Sequence, residues 1–415
     1  MGNYAGDIII CLLVLFSVCF LYGTTHVIKS FIGNGENIIS SHTYYSWIIR
    51  FCLNFSGYAT VLLPGYLIYK YVRVSKYLQR KGKGCIPRLI HSCFLGSGEQ
   101  GLLDSSHYSP TPATSHPPST FFQDALLLTH CFFGLQVSYL TWGYLQEKIM
   151  TQEYDDGQGN RSNFKDSQFI VFINRVLAVV ISAVCLLIIR QPPHTIPLYK
   201  YTFCSLSNVL SSWCQYEALK YVSFPTQVLA KASKIIPVMI MGKIISRTKY
   251  EYYEYVTAVL ISIGMMMFML GSTDHENDGA TTFSGVILLG AYMMLDSFTS
   301  NWQNALFNEY GVTSIQMMCA VNLFSCLLTA TSLFQQSSIM YSLTFMATYP
   351  NFILDCLLIS IFSTTGQLYI FYTISNFGAV TFIIIMTVRQ VTYLSISTLF
   401  IVLRPNSDNR NCLLK

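Results

Sequence analysis

Lys231 and Lys234 stand in the stretch QVLAKASKIIPVM, residues 227–239, which reads as an apolar helix. A charge at the centre of a bilayer costs about 2.5–3.5 kcal/mol. Two lysines at i and i+3 share one helix face. A chain tolerates that cost where both charges face a wet cavity and meet an anion. Arg389 stands in a second apolar stretch, FIIIMTVRQVTYLS, residues 382–395, far from either end of its span. Lysines hold phosphates as point charges, whereas an arginine can hold one in bidentate fashion. Together these residues suit a strongly anionic solute. A structural ion pair of Arg389 with Asp296 or Glu147 is the competing reading. Glu147 and Lys148 close the third apolar span, where terminal charges reach the interface cheaply.

The elements that carry these residues are membrane spans. A spanning helix needs about 20 mostly apolar residues. Candidates lie at 5–22, 47–69, 124–146, 168–190, 202–219, 226–245, 252–271, 282–304, 312–334, 352–374 and 379–403. The segment after the second span holds Lys70, Arg73, Lys76, Arg80, Lys81, Lys83 and Arg88, so it is expected in the cytosol. Alternation then puts Arg190, His194, Lys200, Arg247 and Lys249 on the same side. The acidic loop TDHENDGA, residues 273–280, falls on the far side, as does the glycosylation sequon at Asn160. A second sequon at Asn54 lies inside a span and should be silent. The first segment carries Asp7 and no basic leader, which favours a retained anchor over a cleaved signal peptide. The chain thus divides into N-terminal membrane segments at 1–84, a disordered cytosolic linker at 85–123, one helical unit at 124–271 and another at 282–415.

Polar stripes recur inside the spans. Asn208, Ser212 and Gln215 follow i, i+4, i+7 spacing, as do Asp296, Ser300 and Gln303. Such faces avoid lipid and line either a helix seam or a cavity. Pro225 and Pro237 bracket the lysine segment, and a proline inside a helix breaks its hydrogen-bond ladder. Broken helices line the central sites of many transporters. Lys234 stands nine residues after Pro225, and Arg389 ten after Ala379, a spacing that hints at an inverted repeat.

Bulk composition agrees. Of 415 residues, 52% are hydrophobic and only 11% charged, against about 25% charged in soluble domains. The 13 cysteines fall mostly in apolar runs without CxxC or Cys/His spacing, so they read as packing residues. No zinc site, phosphate loop, nucleophile elbow or metalloprotease motif is present. A membrane enzyme such as a lipid-linked transferase would need an acid/base or metal constellation. The eight histidines share no face, and no DxD motif occurs. A receptor or scaffold has little need for paired intramembrane lysines.

Long strings in this chain resemble the nucleotide-sugar transporter family of the drug/metabolite transporter superfamily. They are GLQVSYLTWGYLQEKIMTQEY from Gly134, DSQFIVFINRVLA from Asp166 and SLSNVLSSWCQYEALKYVSFPTQVLAKASKIIPVMIMGK from Ser205. DSFTSNWQNALF from Asp296, QMMCAVNLFSCL from Gln316 and GQLYIFYTISNFGAVTFIIIMTVRQ from Gly366 complete them. The resemblance covers about residues 47–390. It implies an all-α polytopic membrane protein of two inverted five-helix repeats, with extra N-terminal helices. After Arg389 and Gln390 the sequence ends RPNSDNRNCLLK, where the family pattern continues into a tenth core helix, so the second repeat reads as incomplete.

The resemblance also implies that Lys231, Lys234 and Arg389 clamp the phosphates of a nucleotide. Some relatives have a second basic residue where Gln390 stands. Trp213 and Tyr216 are candidates for stacking the base, and Gln215, Gln227, Asn301 and Gln367 for reading its edges or the ribose, with Asp296 lining the same space. Glu147 is a candidate gate that pairs with a lysine when the site is empty. The implied function is a multi-pass Golgi antiporter that brings 3′-phosphoadenosine 5′-phosphosulfate from the cytosol to the lumen for sulfotransferases, in exchange for an adenosine phosphate. Another nucleotide or nucleotide sugar, such as ATP or a UDP-sugar, is the alternative solute. Neither a cofactor, a metal nor a nucleic-acid partner is called for; a homodimer in the membrane is compatible.

Overall fold

The computed structural model describes residues 2–33, 46–75, 90, 93–94, 121–155, 161–164, 166–189, 191–192, 194, 196–218, 221–222, 227, 231, 233–272, 283–335 and 339–403. Their elements are α1 (Gly2–Gly33), α2 (Ser46–Val74), α3 (Phe121–Thr151), β1 (Glu153–Asp155), β2 (Arg161–Asn163), α4 (Ser167–Ile188), α5 (Tyr199–Ala218), α6 (Ile235–Ile245), α7 (Tyr252–Ser272), α8 (Phe283–Tyr310), α9 (Ser314–Gln335), α10 (Ile339–Thr348) and α11 (Pro350–Leu403). Five of these helices are long and apolar enough to cross a membrane. The protein is a multi-pass membrane protein.

The predicted spans at 352–374 and 379–403 form the two arms of α11, which breaks at Gly378 (φ 82°, ψ 172°). That backbone region is open to glycine and strained for other residues. The first arm, 350–377, packs along α3, while α4 packs on α9 and α5 on α8. The α5–α8 seam is closed by small polar residues whose hydroxyls reach across to backbone carbonyls. Ser205 donates to Val321 O on the adjoining α9 (2.8 Å), Ser207 to Leu295 O (2.6 Å) and Ser211 to Tyr292 O (3.3 Å). Small side chains let the backbones approach, and the hydroxyls satisfy polar groups that lipid would leave unpaired. The predicted stripes are spent differently: Ser212 and Ser300 bond carbonyls of their own helices, while Gln303 of α8 donates across the seam to Cys204 Sγ of α5.

At one end of the bundle, β1 and β2 form a short hairpin in which Tyr154 faces Ser162. Tyr154, Phe164, Phe169, Phe345 and Phe352 make a buried aromatic cluster joining the hairpin, α4, α10 and α11. Asp355, at 6% exposure, receives Lys148 Nζ from α3 (2.8 Å) and the Tyr154 hydroxyl (3.0 Å). Burial first, and then Asp355 itself, push the Tyr154 phenol well above its usual range, so it stays protonated and donates. At the opposite end Lys200 of α5 contacts Glu309 (3.5 Å) and the Tyr310 hydroxyl of α8. Gln316 donates there to Pro192 O (2.7 Å).

Two expectations are corrected. The linker assigned to 85–123 overlaps α3, which begins at Phe121, and Ile90 and Phe94 are packed against α1, α2 and Tyr199. The hairpin and α10 were not expected. The helix assigned to 226–245 does not run unbroken through the lysines: α6 begins only at Ile235. The loop at 273–280, Asn160 and Pro225 lie outside the described residues.

Candidate functional site

The break before α6 has a local cause. Pro237 cannot donate to the carbonyl of Ser233 and its ring collides with that carbonyl. Ser233 and Lys234 accordingly form a turn, while Lys231 is helical one turn earlier. Pro237 becomes the third residue of α6, where its missing N–H is no loss. Lys234 is the N-cap with αR geometry and no side-chain cap, leaving the N–H groups of Ile235 and Ile236 at the start of the helix. The positive end of a helix dipole therefore lies beside the two lysines.

Lys234 is 8% exposed and ion-paired to Asp296 of α8. Asp296 is thus spent on Lys234 and not on Arg389, the partner that the competing reading gave it. Arg389 lies on the second arm of α11 with its guanidinium carbon 5.5 Å from the centroid of the Tyr139 ring. Its Nε is buried without a hydrogen-bond acceptor. It is close enough to Lys231 for mutual repulsion, as Lys231 is to Lys234. Neither Lys231 nor Arg389 has an ion-pair partner among the described residues. The three cations thus approach one another from the segment that leads into α6 and from the second arm of α11.

A fourth cation stands on a further helix. Arg175 of α4 donates Nη1 to Asn322 Oδ1 (3.0 Å) and Nη2 to Asn208 Oδ1 (2.7 Å). Tyr139 feels the charge of both Arg175 and Arg389, and Tyr216 that of Arg175. Arg175, Tyr139, Lys231 and Arg389 all lie deep in the bundle yet keep part of their surface accessible. Gln136 of α3 is 7% exposed with both amide atoms unpartnered. Gln367 donates to Ser363 Oγ (3.5 Å), leaving its Oε1 buried and unpartnered. Arg175 and Gln136 are residues that sequence reasoning missed. A charge in the middle of the predicted span 168–190 was the available signal for Arg175.

The remaining candidates divide. Tyr216 hydrogen-bonds Gln146 near Arg175. Trp213 is taken up by packing, 8% exposed and 5.4 Å from the Phe51 ring of α2. Gln227 is 1% exposed and donates to Gln215 O (3.0 Å), closing the turn between α5 and the lysine segment. Asn301 commits its amide to Val238 O and Ser297 O, both at 2.9 Å, so it pins α6 to α8 and has no donor left for a base. It borders a pocket of about 350 Å³ with Tyr250, Asn304 and Gly378, whose wall includes none of the four cations. Glu147 belongs to α3, but its side chain, like that of Gln390, lies outside the described residues.

No group of three metal-ligating side chains occurs among the described residues. What the site offers is a set of cations inside apolar helices, with one carboxylate against one of them. Unpaired buried charges are costly, so this arrangement is suited to receiving an anion.

Known proteins agree with a solute-handling role. A chain of Drosophila melanogaster named adenosine 3′-phospho 5′-phosphosulfate transporter 1 is 46% identical over 405 residues, covering 94% of this chain and 87% of its own length. The Homo sapiens protein of the same name is 51% identical over 358 residues, covering 85% and 81%. UDP-galactose/UDP-glucose transporter 5B of Arabidopsis thaliana is 38% identical over 273 residues, covering 64% and 78%. Residues 126–402 match the model of the UAA transporter family. The match takes in every helix from α3 to the second arm of α11, and with it all four cations: the chain belongs to the UAA transporter family.

Proposed function

We propose that this protein is a Golgi antiporter that carries 3′-phosphoadenosine 5′-phosphosulfate from the cytosol to the lumen and returns an adenosine phosphate. The observation that carries the reading is the group of Lys231, Lys234, Arg175 and Arg389, of which only Lys234 is ion-paired among the described residues. A 3′-phosphate brings a charge of about −1.5 to −2 at neutral pH, and the phosphosulfate adds more. The names of the Drosophila and human relatives support this substrate; the Golgi placement follows the family resemblance.

Exchange follows from the same charges. An empty carrier must reorient with unpaired cations inside a low-dielectric bundle, which is costly. A bound anion on either journey removes that cost. In the empty state Asp296 stands in for part of the solute by neutralising Lys234.

The packing of α3 on the first arm of α11, α4 on α9 and α5 on α8 supports two inverted repeats. First meets third, second meets second and third meets first, as a two-fold axis in the membrane plane demands. Under this reading α6 and the second arm of α11 are equivalent, each bringing cations to the axis. The Lys148–Asp355 contact then closes the lumenal end.

The test is uptake of radiolabelled 3′-phosphoadenosine 5′-phosphosulfate into proteoliposomes preloaded with adenosine 3′,5′-bisphosphate. Saturable uptake that requires the internal nucleotide is expected. Absence of uptake by folded protein overturns the substrate. The Arabidopsis relative favours a second reading, a UDP-sugar, and stronger competition by UDP-galactose than by the bisphosphate would establish it.

A further inference from the structure

The clamp on α6 and α11 needs no help from α4 to hold a single phosphate group, yet α4 brings Arg175 into the same interior. Two asparagines on two other helices hold that guanidinium, Asn208 on α5 and Asn322 on α9. Asn322 is itself aimed, because its amide nitrogen donates to Met318 O (2.8 Å) and so turns Oδ1 toward the arginine. An arginine has five N–H donors, so the two asparagines leave three. The asparagines are neutral: they position the guanidinium without cancelling its charge, and no carboxylate pairs with it among the described residues. An arginine kept only for packing would be expected to meet a carboxylate, since a lone buried charge is costly.

The Arg389 guanidinium carbon lies 5.5 Å from the centroid of the Tyr139 ring, and Arg175 is within electrostatic reach of the same tyrosine. Arg389 belongs with Lys231 and Lys234. Arg175 has Tyr216 within electrostatic reach. Tyr139 is thus shared by two cationic groups, one on α4 and one on the lysine segment and α11.

We propose that Arg175, held by Asn208 and Asn322, is a second anion seat that selects nucleotides bearing charged groups at two separated positions. This rests on the reading of the lysine–Arg389 cluster as the first seat. A nucleoside with phosphate on both its 3′ and 5′ oxygens would bridge the two groups, with Tyr139 against its uncharged middle. A nucleotide with one phosphate would take the first seat alone.

The experiment measures displacement of radiolabelled adenosine 3′,5′-bisphosphate from the purified full chain by the unlabelled bisphosphate and by adenosine 5′-monophosphate. Arg175→Gln should weaken the bisphosphate by about 10- to 100-fold, the range expected for lost hydrogen bonds to a charged group, and leave the monophosphate near its wild-type affinity. Lys234→Ala should weaken both. Asn208→Asp supplies Arg175 with a permanent counter-ion. It should keep or raise the thermal midpoint while lowering the preference for the bisphosphate, a combination that a merely structural arginine would not produce.

Equal losses for both nucleotides in Arg175→Gln, or none, would overturn the second seat. So would an unchanged preference in Asn208→Asp, which decides alone should Arg175→Gln fail to fold. A wild-type chain that binds neither nucleotide would overturn the first seat as well, and that outcome is distinct from a loss of selectivity.

Discussion

Replacing Asp296 with asparagine separates two roles the carboxylate could have. Its side chain is 26% exposed and that of its partner Lys234 is 10% exposed. Breaking a buried ion pair by removing one partner costs about 3–5 kcal/mol. The partial exposure of Asp296 screens the pair, so about half of that, 1.5–3 kcal/mol, is a reasonable expectation here. The cost falls on the empty carrier, because a bound phosphate supplies the missing counter-charge. Asp296→Asn should therefore lower the thermal midpoint without nucleotide and recover it when adenosine 3′,5′-bisphosphate is added. By linkage the variant should bind that nucleotide more tightly, by about 10- to 100-fold, and exchange it more slowly because release uncovers the lysine. Thermal unfolding with and without nucleotide, together with a binding isotherm, measures both quantities. Weaker binding in Asp296→Asn would refute the reasoning, since it would mean that the carboxylate touches the solute rather than standing in for it.

Three further outcomes are expected. Lys234→Ala removes a cation from the first seat and should abolish exchange in proteoliposomes while folded protein still reaches the membrane; unchanged transport would remove the lysines from the site. Arg389→Lys keeps the charge but loses the planar fork and its stacking on Tyr139, so binding should weaken by about tenfold in a competition assay. Gly134→Ala places a methyl group 2.4 Å from the Tyr369 ring across the α3–α11 seam. Overpacking of this kind costs about 1–3 kcal/mol, which a lowered thermal midpoint would register.

Much of the architecture was legible because a bilayer enforces it. A span must be about 20 apolar residues long, and the apolar runs therefore pointed to the helices α2 to α5, α7 to α9 and both arms of α11, of which α3, α4, α8, α9 and α11 are long and apolar enough to cross a membrane. What escaped were elements whose determinants are not apolar length. The hairpin of β1 and β2 is three residues per strand and is held by Tyr154 and Phe164 packing on residues about 190 positions away, such as Phe345 and Phe352. Nothing local encodes that partner. The start of α6 was misplaced by reading Pro237 as a kink within a helix. The same proline, taken as the third residue of a new helix, puts the boundary at Ile235 without any tertiary information.

The site was legible wherever a residue contradicted its surroundings. Lys231, Lys234 and Arg389 announce themselves because a charge in an apolar span is expensive. Arg175 satisfies the same criterion: it sits in the middle of SQFIVFINRVLAVVISAVCLLI, and the rule that found the other three applies to it equally. The uncharged polar residues are a different matter. A glutamine or asparagine in a span must bond to something, and the sequence cannot say whether that is a neighbouring helix or a solute. Asn301 and Gln227 resolved to the first case because their amides meet carbonyls of adjacent segments. Gln136 and Gln367 are the contrasting case: both amide atoms of the first and the Oε1 of the second are buried without a partner, so that hydrogen-bonding capacity is unspent. Deleting such a group should change affinity for the solute more than it changes the stability of the empty protein. For Asn301, whose bonds are all internal, the order should be reversed.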